Sequence, residues 1–543
     1  MQQHTFTSSR PAEIAFDGSR RVRFSARRSR STVDPRALKR TLHRCGIAFA
    51  IAIFASASAL RAQPATQPAT TAPTTRRVST GPSVEKLMVH PSAVTQPLLQ
   101  YKLLPDIADQ TPGDAVPLYL MTRNSGPDAK TDKEILAPEN GKYDYLDTPA
   151  SEFPPQYAQR LFDGYARRFA YVDVAARRRE AHWDVGWREF GFAEPLSFDY
   201  LNALRHNANL LGFRGRYQIA HNDWAGADYT LQSMFGMARH IGNEPLQIHA
   251  MVEYGLAEIT LWEPIWDWIG HSGSPNLYWP LTDLPHPFVD PRLVVQSEKL
   301  YSRYNKSLTF QALRGELPAD QWPAAIREMV YSQQDHKIGS NPQPEQVDAQ
   351  VKLLIDSCFA RARDYLLAHG EAASALASMS REQVVGRYWC REYQRAHDDL
   401  WKYWALDYPQ ASQNILETWR SLAPDRSPAL DNPLIQDQLV PNDGYGPVMD
   451  FPILLRARNL LARTDRHIAM FRIVEAMRDY AAHHGGLPPE RLDQITDLPI
   501  PLDPITGKEF SYHVEGQTAI LEALAPPLMA KSSGRRLELT FVK

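Results

Sequence analysis

Apolar residues recur at helical spacing through most of the chain from residue 154 onward. Tyr157, Leu161, Tyr165 and Phe169 fall every fourth residue behind Pro154 and Pro155, a favourable helix start. The same periodicity predicts helices over 197–221, 224–241, 246–269, 291–315, 319–333, 345–369, 381–407 and 450–484. Beyond Gly485 the pattern changes to short runs of strand length at 509–514, 518–521 and 536–542. These elements predict a mainly α protein: an irregular α-helical body with repeat-like hairpins, then a small C-terminal module of helix plus antiparallel sheet.

Breaks in the pattern divide the chain. Residues 1–62 read as a leader, 63–83 as a Pro/Thr/Ala linker unable to bury a core, and 84–152 as an irregular segment wrapping the body. The helical body spans 153–426, a Pro/Asn/Asp/Gly-rich linker spans 427–447, and the C-terminal module spans 448–543.

Charge sharpens the reading of the leader. Residues 1–62 carry twelve Lys/Arg against three Asp/Glu, leaving 48 against 59 in the remainder. The basic stretch precedes the apolar run Gly46–Leu60 and the small-residue sites Ala57-Ser-Ala59 and Leu60-Arg-Ala62, the layout of a Sec-type signal peptide. A periplasmic or secreted location is expected, or an inner-membrane anchor if the segment is not cleaved. The acidic remainder argues against nucleic acid as a partner.

Two local resemblances follow. Leu211, Gly215, Ala227, Leu231 and Met234, around the turn Asn222-Asp223, resemble one tetratricopeptide-type helical hairpin. The helix Glu475–Tyr480, the stop Gly485-Gly486-Leu-Pro488, and Pro501-Leu-Asp-Pro504 with Gly507 and Tyr512 resemble the C-terminal module of the type II secretion major pseudopilin. That likeness implies a helix packed on a small antiparallel sheet. The pseudopilin's hydrophobic start behind a Gly-Phe-type processing site has no counterpart here, so pilus assembly is not implied. The overall layout is similar to large exported proteins of planctomycete-type bacteria.

Candidate chemistry is sparse. Trp262 and Trp266 share a helix face, and Tyr278 and Trp279 fall in an aromatic loop, so these four are the candidate ligand-binding residues for a peptide or sugar, with core packing as the plain alternative. His483 and His484 point about 100° apart on a helix, so they read as helix-end residues and not as a metal pair. Ser272 echoes a nucleophile elbow without the strand that such an elbow requires. Cys358 and Cys390 fall level if their helices form a hairpin; they are either a disulfide or two buried thiols. Nothing in the sequence calls for a metal or a cofactor. The expected function is an exported scaffold that binds a protein or peptide of the cell envelope and performs no chemistry. The alternative is an envelope hydrolase, in which two or more of Glu263, Asp267, His271, His397 and Asp399 would converge.

Overall fold

The structure, a computed structural model, describes residues 82–184, 186, 199–335, 343–422, 451–526, 529 and 533–542. The leader, most of the 63–83 linker and the whole 427–447 linker lie outside them. The fold is mainly α, 62% helical, with small sheets. No helix among the described residues is long and apolar enough to cross a membrane.

The described residues open with strand β1 (Ser83–Val89), then β2 (Thr111–Asp114), helix α1 (Val116–Met121) with a short 3-10 turn (Thr122–Asn124), and α2 (Ala129–Leu136). Helices α3 (Pro155–Gly164) and α4 (Ala166–Ala176) lead to β3 (Arg178–Glu180), which pairs parallel with β2. The expected hairpin follows as α5 (Asp199–Ala220) and α6 (Trp224–Gly242). Asp223 caps α6 through the Gly226 N–H, and Asn222 takes the left-handed turn with φ 60°. Gly212 faces Met234 across it, as the spacing predicts, with a Cβ there 3.8 Å from Met234 Cε, but both glycines lie closest to a later segment, Gly212 to Glu263 and Gly215 to Pro264.

Helix α7 (Gln247–Thr260) runs into a π-helical turn (Leu261–Ile265) and then α8 (Trp266–Gly270). Pro264 sits inside the π turn; with no N–H to donate and a ring that crowds the preceding carbonyl, it forces the helix to widen there. The expected aromatic loop contains a short helix, α9 (Tyr278–Thr282). Helices α10 (Pro291–Tyr304) and α11 (Leu308–Leu313) replace the single helix expected over 291–315, because Asn305 leaves the helix and Ser307 caps a new one.

Helices α12 (Trp322–Asp335), α13 (Pro344–Ala368), α14 (Ala373–Ala377) and α15 (Arg381–Trp401) enclose a second core, separate from the main one and built on Trp322, Ile326, Leu354, Val385 and Trp389. Helix α16 (Tyr408–Leu422) then leads toward the long α17 (Phe451–His483).

Strands β4 (Ser511–Glu515), β5 (Thr518–Ala523) and β6 (Arg535–Phe541) form the expected antiparallel sheet. The addition is β1, which pairs parallel with β6 at the edge, Leu87 opposite Leu539 and Val89 opposite Phe541. Val89, Leu103, Ala115 and Tyr119 enter the same core as Leu537 and Phe541, so the segment after residue 83 contributes core as well as covering it.

Candidate functional site

The four aromatic residues singled out in the sequence do not form an open platform. Trp262 and Trp266 are neighbours, with centroids 5.4 Å apart, but both pack on Phe471 of α17. The Trp262 Nε1–H donates to Glu258 Oε2 at 3.2 Å, and the Arg535 guanidinium covers its ring at 4.2 Å. Trp262 thus closes over a buried pair, His467 Nδ1 and Glu258 Oε2 at 2.9 Å. Tyr278 corrects the expectation of a surface loop: it is 0% exposed, its hydroxyl donates to the Pro499 carbonyl, and Arg472 stacks 5.2 Å from its ring. Asn276 starts that short helix by accepting the Tyr278 N–H and donating to Glu475 O, which draws the segment inward. Trp279 is half-buried against its edge.

The residues weighed for catalysis go to separate partners. Asp267 pairs with Arg216 at 2.9 Å, His271 packs on Trp224, His397 meets Asp398 at 3.5 Å, and Asp399 meets Lys402 at 3.0 Å. Ser272 is exposed in a turn that Gly273 permits with φ 77°. His483 and His484 each place Nδ1 within 2.9 Å of the carbonyl four residues back, so both rings close the end of α17. Of the two alternatives for Cys358 and Cys390, the structure has the buried thiols: both are free and packed in the second core. Burial pushes the Cys390 thiol up to about 12.

Most interior charges serve the fold. Along α17, Asp465 accepts the Phe288 N–H, Arg466 pairs with Asp503, Arg478 pairs with Glu475, and Asp479 accepts the Val94 N–H. Arg478 also donates to His90 O and to Ser274, and so ties the segment after β1 to α17.

One cluster is different, and the sequence did not reveal it. Where α2, α4, α5 and the π turn meet, Asp132, Tyr165, Arg168 and His206 gather with Tyr145, which in turn reaches Asn209 and Glu263. The Tyr165 hydroxyl donates to Asp132, and Tyr145 bonds Asn209. Burial, with the neighbouring carboxylates, raises both tyrosines well above their ordinary range. Burial and the Arg168 charge lower His206 to about 4, so it is neutral at pH 7. The π turn presents Glu263 against Gly212, where a Cβ would lie 2.8 Å from its Oε2. Gly212 therefore makes room for the carboxylate. Asp132, His206, Asn209 and Glu263 are partly exposed and open the cluster to solvent.

Arg168 is the cluster's unusual member. It is only 8% exposed, yet its Nε and Nη1 meet no acceptor. Tyr165 shares a helical face with it, 5.6 Å from ring centroid to guanidinium, and Gly126 leaves space beside Nη2. The available sequence signals were Pro264 and Gly212, a helix irregularity opposite a missing side chain. Among the described residues no group of three or more His, Cys, Asp or Glu has the placement to hold a metal ion.

No family model, no curated protein and no solved structure matches this chain.

Proposed function

We propose that the protein is an exported α-helical scaffold that binds a peptide or protein segment of the cell envelope. The observation that carries this reading is Arg168. A buried guanidinium with idle N–H donors, beside partly exposed polar groups, suits an occupant that arrives from outside. The tetratricopeptide-like hairpin, α5 and α6, supplies His206 and Asn209 to the same place, in keeping with a binding role for that unit. The pseudopilin-like tail is read as a cap whose helix and sheet close the body. Its buried charges are paired with fold segments, which leaves little for chemistry there.

Export rests on the leader. N-terminal sequencing of protein recovered from an envelope fraction should find a start after Ala59 or Ala62. Binding is tested by affinity selection of random peptides on the purified protein, run beside a panel of esterase, amidase and glycosidase substrates. Retained peptides without turnover support the scaffold. Turnover with nothing retained overturns it. The hydrolase reading keeps one observation in its favour: the same cluster gathers two carboxylates, a neutral histidine and two tyrosines from several helices.

A further inference from the structure

We propose that Arg168 receives the terminal carboxylate of a bound peptide, an inference that rests on the scaffold reading above. A buried cation without an anion is unfavourable by several kcal/mol unless something compensates it. Within the fold the compensation is incomplete. Asp132 is near enough to support the Arg168 charge, but its carboxylate is engaged by the Tyr165 hydroxyl, and Nε and Nη1 of Arg168 stay idle. Arg214, also on this side of the body, shows what a satisfied arginine looks like here: its Nη1 and Nη2 grip Asp173 at 2.9 and 2.8 Å. A ligand carboxylate would give Arg168 the same charge-assisted hydrogen bonds.

The neighbours narrow the ligand's chemistry. Asp132 already supports the Arg168 charge, so a doubly charged phosphate would leave a larger excess of negative charge there than a single carboxylate does. His206 is neutral at pH 7 and adds no second cation. Tyr145, within reach of Arg168 and bonded to Asn209, adds an uncharged hydroxyl there, in keeping with the amide of a last peptide bond. A free amino acid carries the same carboxylate, so the experiment must separate the two sources.

The probes are random short peptides with free C-termini, the same peptides amidated, and a mixture of free amino acids as competitor. They are applied to the full chain and to its Arg168→Met and Arg168→Lys variants. Free-acid peptides should be retained over amidated ones by about tenfold or more, the expected value of a charge-assisted pair. Arg168→Met should abolish that preference while its thermal midpoint stays equal to wild type or rises, because a buried guanidinium with two unbonded donors has been removed. Arg168→Lys should keep the charge and lose most of the preference, since the planar fork is gone. A structural arginine predicts a fall in the thermal midpoint of both variants with the preference intact in the remaining folded protein, and that result overturns the proposal. Equal retention of acid and amide peptides overturns it too and leaves the scaffold reading standing. Retention of no peptide from either set overturns both. Loss of the preference when free amino acids are added at low concentration assigns the carboxylate to a small molecule and overturns the peptide as its source.

Discussion

Arg466 grips Asp503 through Nε at 2.9 Å and Nη2 at 2.5 Å, with both side chains almost wholly buried. The same carboxylate accepts the Ile505 N–H and the Thr506 hydroxyl, and Gly507 closes the turn at φ 66°. The Asp-Pro-x-Thr-Gly turn is therefore the anchor of the sheet module on α17, with one carboxylate organising the loop and holding the helix. Arg466→Met should destabilise the protein by about 3–5 kcal/mol, because it leaves Asp503 charged, buried and half-satisfied. Asp503→Asn should also destabilise. The double variant should cost less than the sum, with a coupling of about 1–3 kcal/mol in urea denaturation. A single-variant cost within about 0.5 kcal/mol of zero would show that the pair is incidental.

How far the sequence reveals this protein depends on whether the physics is local. The hairpin of α5 and α6 was legible because its periodicity, its Asn222-Asp223 turn and its small-against-large positions all lie within one stretch. The turn at Asp503 was legible for the same reason. Strand β1 was not: its partner β6 lies some 450 residues away, and its apolar residues Val84 and Met88 face outward while Glu85 faces inward to meet Arg535 at 2.8 Å. Tyr278 lies in a Pro-rich stretch, and such a composition marks a surface loop only until a distant helix covers it. Arg168 between Tyr165 and Phe169 looks like an ordinary solvated position on a helix, and only the packing of α2, α4 and α5 makes it buried.

The thiols give a direct test of the second core. Cys358 and Cys390 are free, and burial pushes Cys390 up to about 12, so little thiolate exists near neutral pH. In native protein both should resist alkylation by iodoacetamide over an hour at pH 8. In denaturant without reductant both should be modified, as read by peptide mass spectrometry. A peptide pair linked through residues 358 and 390 would instead establish the bridge.

Acid should weaken the protein through His240 and His249. Burial lowers His240 to about 4 and His249 to about 3, against 6.5 for the free side chain. His240 is fixed as the neutral ring by two partners, the Tyr119 hydroxyl at 2.9 Å and the Arg178 carbonyl at 3.0 Å. Tyr200 meets His249 Nε2 at 2.5 Å. The unfolded chain then binds protons that the folded one refuses, so the stability is present above pH 6.5 and declines as pH falls toward 4. Each histidine should contribute a loss of about 2 kcal/mol between pH 7 and pH 5. Denaturant midpoints across that range should fall for wild type, and His249→Gln should flatten the slope. An unchanged slope would mean that His249 is protonated in the native state.

One substitution made at two helical glycines should move stability in opposite directions. Gly386 lies on α15 where Trp322 of α12 crosses it, and a methyl there would overlap the indole ring and crowd Ile326 Cδ1 at 3.1 Å. Gly255 on α7 has nothing within 4 Å of the place its methyl would occupy. Both sites gain the same helical preference on becoming alanine, roughly 0.5–1 kcal/mol. At Gly255 nothing opposes that gain, so Gly255→Ala should raise the denaturant midpoint. At Gly386 the indole is 4% exposed and packed within its core, so it cannot swing aside. Overpacking of this kind costs about 1–3 kcal/mol and exceeds the helical gain. Gly386→Ala should therefore lower the midpoint, and pairing it with Trp322→Phe should recover part of the loss by shortening the ring that is struck. If Gly386→Ala stabilises the protein as much as Gly255→Ala, the close crossing of α12 and α15 is wrong.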